Sequence, residues 1–126
     1  MILVPVSVGE LIDKLTILQI KLQNIDDPVK WGNVKTEWDI LSSLPEYRDI
    51  AYEVAPFFTN LYIINMQLWK IEDDIRKCEQ EQNFGERFIA LARSVYIIND
   101  KRALIKKQVN LKYGSKIIEE KSYKEY

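Results

Sequence analysis

The feature that most constrains the fold of this chain is the recurrence of apolar residues at alternating steps of three and four positions. Four segments show this spacing, and none shows the strict alternation expected of a half-buried strand. The apolar positions are Leu11, Leu15, Leu18, Leu22 and Ile25, then Trp31, Val34, Trp38 and Leu41, then Leu61, Ile64, Leu68, Ile71, Ile75 and Cys78, and finally Phe88, Leu91, Val95, Ile98, Ile105 and Val109. Such spacing places a stripe along one face of a helix. The sequence therefore predicts an all-α antiparallel bundle of about four main helices.

Capping signals indicate where these helices begin and end. Ser7 and Glu10 have the spacing of a capping box, in which each side chain bonds the backbone amide of the other residue. Asp27 followed by Pro28 is typical of an N-cap with proline at the first helical position. Gly114 is a predicted C-terminal stop for the fourth helix.

Two further segments lie outside the four stripes. Pro56 interrupts the start of the third segment, so residues 46–55 are predicted to form a short extra helix or a kinked leader before it. The tail, residues 115–126, is too short and too charged to fold alone, and we expect it to dock on the bundle or on a partner. Residues 1–126 are predicted to form a single domain.

The absence of histidine limits the chemistry that the chain can perform. Without an imidazole as general base, Ser-His-Asp and Cys-His catalysis are excluded in their usual forms. With Cys78 as the only cysteine, a structural zinc site would also lack its ligands. A metal would need carboxylates and amides, which suit Mg²⁺, Mn²⁺ or Ca²⁺. We expect no cofactor unless the protein is a magnesium-dependent enzyme.

Cysteine usage and the first residues indicate the compartment. A single cysteine forms no internal disulfide and fits a reducing setting. The opening MILVPVSV lacks the basic region of a signal peptide, and no apolar run has the length of a membrane span. A cytoplasmic protein with no membrane partner is predicted.

The formal net charge of −1 conceals an asymmetry along the chain. Residues 101–126 contain eight Lys or Arg and three Glu, which gives +5 and leaves −6 for the first hundred residues. This polarity could attract an anionic small molecule or favour head-to-tail self-association, although solvated helix faces are the simpler explanation. The basic excess is too small for a nucleic-acid partner.

Charged and aromatic residues that share helical faces form three candidate clusters for ligand binding. The first is at the start of the chain, the second lies in WKIEDDIR, and the third lies in RSVYIINDKRALIKKQVN, where polar residues recur at steps of three and four up to Asn110. The candidates are Glu10, Asp13 and Lys14, then Trp69, Glu72, Asp73 and Arg76, and then Arg93, Tyr96, Asn99, Asp100, Arg102 and Lys106. The candidates for a metal site are Glu10, Asp13, Glu72 and Asp73.

Arg102 is the most informative of these residues, because it occupies a position in the apolar stripe of the fourth helix. A charged side chain is rare there unless it is paired. We predict that Asp13, rather than Glu10, faces inward and pairs with Arg102, in a cluster that also includes Glu72 or Asp73. A buried structural ion pair and a ligand site built on the same charges are both compatible with the sequence.

Four segments, PVSVGELIDKLTIL, WKIEDDIR, LARSVYIINDKRALIKK and GSKIIEEKSY, resemble a family of small bacterial and phage proteins that is known only as a domain of unknown function. The resemblance spans nearly the whole chain and implies no reaction. GELIDKL also resembles the Glu-Leu-x-Asp helix of MazG-type nucleotide pyrophosphohydrolases. Only nine residues precede Glu10 in this sequence, so we do not expect the earlier helix that supplies a Glu-x-x-Glu pair in that family, and the resemblance is one of chemistry rather than of kinship.

Two classes of function follow from the sequence. The favoured class is a non-catalytic binding or assembly module that forms a homo-oligomer, because no complete catalytic set is visible. The alternative is a magnesium-dependent phosphohydrolase, or a binder of phosphorylated sugars or nucleotides, in which carboxylates from several helices hold the metal and basic side chains meet the phosphates.

Overall fold

The computed structural model describes residues 1–126, and all of its regular secondary structure is helical. The helices are α1 (Val8–Asn24), α2 (Pro28–Ser42), α3 (Pro45–Arg48), α4 (Ala51–Gln80) and α5 (Glu86–Lys112). No strand is present, which confirms the all-α prediction. None of the helices combines the length and the apolar character needed to cross a membrane.

α1 is the central helix of the bundle. It packs against α2, α4 and α5, and it carries eight buried residues, more than any other helix. Ile12 of α1 meets Val54 and Leu61 of α4 and Val109 of α5, and all four side chains are fully buried. α4 and α5 also pack against each other. The core therefore lies where α1, α4 and α5 meet.

α2 contributes less to the core than its apolar stripe suggests. It has no buried residue, and two polar contacts join it to α1. The Trp31 indole donates to the Leu22 carbonyl at 3.0 Å, and Glu37 pairs with Lys14 at 2.9 Å. The three-and-four spacing correctly predicts a helix here, but α1 is the only long helix that packs extensively against α2.

The short extra helix before Pro56 is confirmed, although its bounds differ from those predicted. α3 spans Pro45–Arg48, and residues 51–55 belong to α4, which includes Pro56 near its start. Proline there deprives the Tyr52 carbonyl of its helical donor, and α4 continues past it.

The chain reverses at Gln82, which has a positive φ of 53°, and α5 then runs to Lys112, two residues before Gly114. Gly114 has φ 61°, and the Ser115 amide donates to the Asn110 carbonyl at 2.9 Å, which is the pattern of a Schellman motif. The predicted stop at Gly114 is therefore confirmed.

Both ends of the chain are irregular. The tail lies along α5, where Glu120 pairs with Lys107 at 3.0 Å and the Tyr126 hydroxyl donates to Asp100 at 2.6 Å. The first six residues, Met1–Val6, form an arm without secondary structure. All the large apolar side chains of this arm are between 52% and 98% exposed.

Candidate functional site

The start of α1 lies unusually close to α5. The Gly9 amide donates to Asn110 Oδ1 at 2.6 Å, and a Cβ atom added to Gly9 would lie 2.5 Å from the Lys106 carbonyl oxygen. Only glycine allows the two helices to approach to this distance. The Val8 amide, one residue earlier, donates to Ser115 Oγ at 3.1 Å. The first turn of α1 is thus fastened to the end of α5.

Asp13 is the centre of a charged cluster one turn further along α1. Its side chain is 1% exposed, and its Oδ1 accepts from Arg102 Nε at 3.0 Å and from Asn65 Nδ2 at 2.8 Å. Arg102 Nη2 donates to the other carboxylate oxygen, so the ion pair is bidentate. Asn65 Nδ2 also donates to Thr16 Oγ1 at 2.8 Å. The prediction that Asp13 faces inward and pairs with Arg102 is confirmed.

Lys106 extends the cluster towards the tail. Its ammonium lies 2.7 Å from Glu10 Oε2, 3.3 Å from Glu119 Oε2 and 3.7 Å from Asp13 Oδ2. The carboxylate that joins the cluster therefore comes from Glu119, and the prediction that Glu72 or Asp73 would do so is wrong. On α4, Glu72 lies seven residues beyond Asn65, which is about 10 Å along the helix axis.

Glu10 has a different role from the one that its capping-box position predicts. Ser7 Oγ accepts from the Glu10 amide at 3.1 Å, as expected of a cap. The Glu10 carboxylate, however, binds Lys106 and makes no bond to the Ser7 amide. Half of the predicted capping box is therefore formed, because the ammonium of Lys106 is the stronger partner for a carboxylate.

The charges of the cluster stabilise one another. Hydrogen bonding to Asp13 raises the pKa of the Arg102 guanidinium above its ordinary value. Burial alone would lower the pKa of Lys106, but the hydrogen bond to Glu10 and the charge of Asp13 outweigh it and leave this pKa raised. The positive charge of Lys106 lowers the pKa of Glu119. Both cations therefore remain charged at neutral pH.

The lowered pKa of Glu119 predicts that docking of the tail depends on pH. Because the docked state holds Glu119 ionised, its contribution is present above the ordinary glutamate pKa of about 4.3 and is lost as pH falls through the lowered value. We expect the tail amides of Ile117 and Ile118 to change their NMR shifts in this acidic range. In Glu119→Gln the tail amides should have, already at neutral pH, the NMR shifts that the wild type shows only in acid. Glu125→Gln, which removes no ion pair, should keep the wild-type shifts. Tail shifts that are the same in wild type and Glu119→Gln at neutral pH would contradict the prediction.

The predicted candidates of the second cluster lie beside the charged cluster, on a separate groove. Trp69, Glu72, Asp73 and Arg76 line a cavity of about 360 Å³ between α1, α4 and α5, whose wall also includes Arg102. Glu72 and Arg76 pair with each other at 3.2 Å and are both exposed. Arg102 is thus the link between the two clusters.

The remaining candidates are spread over the surface of α1 and α5. Asn99 borders a small cleft with Arg102 and Lys106. Tyr96 stacks edge-to-face on Tyr126 of the tail, and Asp100 binds the same tyrosine. Arg93 is exposed and makes no ion pair, and Lys14 pairs with Glu37 of α2.

The four metal candidates are not brought together. No group of three or more Asp, Glu or Cys side chains is arranged to hold a metal ion. Asp13 is already bound by Arg102 and Asn65, and Glu10 by Lys106. The charged cluster contains three carboxylates, those of Glu10, Asp13 and Glu119, and three cations, because Lys121 pairs with Glu119 at 3.5 Å beside Arg102 and Lys106. Its charges balance and are paired with one another, which does not favour a phosphate ligand.

Sequence reasoning did not identify Asn65 or Glu119 as parts of the site. Asn65 follows Ile64 of the third stripe, and a polar residue beside a stripe was the available signal. Asn110 belongs to the recognised series of polar residues on α5, although its bond to Gly9 was not predicted. Glu119 gave no signal, because its position depends on the path of the tail after Gly114.

Comparison with family models matches residues 2–126 to the Family of unknown function (DUF6165). The chain belongs to this family. The resemblance predicted from its four segments is thereby confirmed. No curated protein and no solved structure matches the chain. Membership of DUF6165 assigns no reaction, ligand or partner to the chain.

Proposed function

We propose that this protein is a non-catalytic assembly module that self-associates through its N-terminal arm. The observation that carries the proposal is the exposure of Met1, Ile2 and Leu3, each at least 86% accessible. Removing apolar side chains from water lowers the free energy by roughly 25 cal/mol per Å² of buried surface. An apolar arm that projects from the fold is therefore typical of a segment covered by a partner.

The total surface of the chain supports the same conclusion. Its accessible area is 8994 Å² for a mass of 14.9 kDa. Folded monomers of this mass expose about 7,000 Å². The excess of about 2,000 Å² is larger than the share of about 800 Å² that each partner buries in an interface of standard size. Burying part of it between two copies would bring the exposed area closer to that of an ordinary folded protein of this mass.

The charged cluster fits a structural role in such a module. Gly9, Glu10 and Asp13 fasten two successive turns of α1 to α5 and α4. The arm ends at Val6, directly before the N-cap residue Ser7, so these contacts fix the point from which the arm leaves the bundle. The cluster thus positions the arm, and each of its charges is paired within the chain.

The proposal predicts a concentration-dependent mass above 14.9 kDa, which sedimentation equilibrium measures directly. Ile2→Asp/Leu3→Asp should give a monomer with an unchanged helical circular dichroism spectrum, because both side chains are exposed. Val29→Asp is the matched control, since Val29 is 74% exposed on α2, and it should associate like the wild type. A wild-type protein that stays monomeric at millimolar concentration would refute the proposal.

A further inference from the structure

A second unpartnered apolar feature runs along the outer face of α5. Ile97, Leu104 and Leu111 are spaced seven residues apart, and Lys101 and Gln108 lie between them on the same face. Leu104 is 58% exposed and Leu111 is 62% exposed, while Ile97 is half-buried. We call Ile97, Leu104 and Leu111 the α5 stripe. It is an uncovered helix face beside the core.

The tail leaves most of the α5 stripe open. Its ion pairs are made to Lys106, which is buried on the side of α5 away from Leu104, and to Lys107, which lies on the face next to the stripe. Leu104 borders the cleft between the tail and α5 and is still mostly exposed. The arm of the same chain does not cover the stripe either, because its own side chains are exposed.

The dimensions of the arm match those of the α5 stripe. Six extended residues span about 20 Å, and Leu111 lies fourteen positions after Ile97, which is a rise of about 21 Å along a helix. Pro5 lacks an amide hydrogen, so the arm is poorly suited to pairing as a strand, and it suits contact through its side chains. The Gly9–Asn110 hydrogen bond also places the root of the arm beside the turn that carries Leu111.

We propose that the arm of one copy lies along the α5 stripe of a second copy, and that the two copies exchange arms. This inference rests on the proposed function and names the partner surface of the arm. Exchange about a two-fold axis covers both arms and both stripes with the same contacts, which is the symmetry of an isologous dimer. The aliphatic stem of Lys101 can lie against the arm while its ammonium stays in water.

Photo-crosslinking of the full chain tests the placement of the arm. A benzophenone amino acid replaces Leu3, and the protein is mixed with ¹⁵N-labelled wild type before irradiation. We expect crosslinks from the arm of the unlabelled variant to α5 peptides of the ¹⁵N-labelled wild type, namely those containing Leu104 or Leu111. Crosslinks confined to one chain, or to a helix other than α5, would overturn the inference.

Mutation of the stripe separates this inference from the proposed function. Leu104→Glu/Leu111→Glu should raise the dimer dissociation constant at least 100-fold, whereas Ile63→Glu, which alters an apolar residue 51% exposed on α4, should leave it unchanged. If the arm variants abolish the dimer but the stripe variant does not, the inference is wrong and the assembly proposal stands. If the wild type is itself monomeric, both fail.

Discussion

Replacement of Arg102 by alanine is expected to lower the free energy of unfolding by about 3–5 kcal/mol. Asp13 is 1% exposed, and Arg102 supplies two of its hydrogen bonds. Its removal would leave a buried carboxylate with Asn65 at 2.8 Å and with Lys106 at the longer distance of 3.7 Å. Most of the lost stability comes from leaving the buried carboxylate without its counter-charge, rather than from losing the attraction of the ion pair. The free-energy penalty for desolvating an unpaired carboxylate is large.

Urea unfolding followed by circular dichroism at 222 nm measures this change, provided that the m-value stays constant. The free energy of unfolding should fall much less in Asp13→Leu/Arg102→Leu than in Arg102→Ala. The double variant buries no unpaired charge, and Asn65 keeps its bond to Thr16. Arg76→Ala is the matched control. The Arg76 side chain is 79% exposed in a pair with Glu72, so we expect the free energy of unfolding to fall by about 0.5 kcal/mol or less. If Arg102→Ala and Arg76→Ala lower the free energy of unfolding equally, the buried pair contributes no more to stability than the exposed one.

Gly9→Ala is expected to destabilise the protein by about 2–3 kcal/mol. The added methyl group would lie 2.5 Å from the backbone oxygen of Lys106 and 2.8 Å from Asn110 Oδ1, so α1 and α5 would have to separate. Separation would also lengthen the Gly9–Asn110 hydrogen bond and the ion pair between Glu10 and Lys106. The same substitution in a free helix favours the helix, so a loss of stability isolates the tertiary contact.

Gly32→Ala provides the control for this prediction. Gly32 lies within α2, and a Cβ atom there would meet nothing within 4 Å. Alanine should therefore raise the free energy of unfolding by about 0.5–1 kcal/mol. The pair of variants is compared by urea unfolding under identical conditions. An increase in stability for Gly9→Ala would mean that the helices do not approach as closely as described.

The helices themselves could be predicted from local sequence. Alternating steps of three and four, a cap at Ser7 and a stop at Gly114 act within one or two turns, so they are visible without knowledge of the fold. The need for a partner at Arg102 was also local, because a guanidinium in an apolar stripe requires a counter-charge. The resemblance to a family of unknown function indicated how much of the chain the family covers, but it identified no reaction and no functional residue.

The tertiary structure decided which groups meet. Helical spacing allowed Glu10, Asp13, Glu72 and Asp73 as partners of Arg102, and the structure pairs it with Asp13. The pairing of Lys106 with Glu10 and with Glu119 of the returning tail was not predicted. The close approach at Gly9 likewise depends on the position of α5 and leaves no trace in local propensity. Periodicity fixes the face that a helix buries, because it follows from the 3.6-residue turn. The register and separation of two helices depend on side chains from distant segments, and these are known only once the helices are packed.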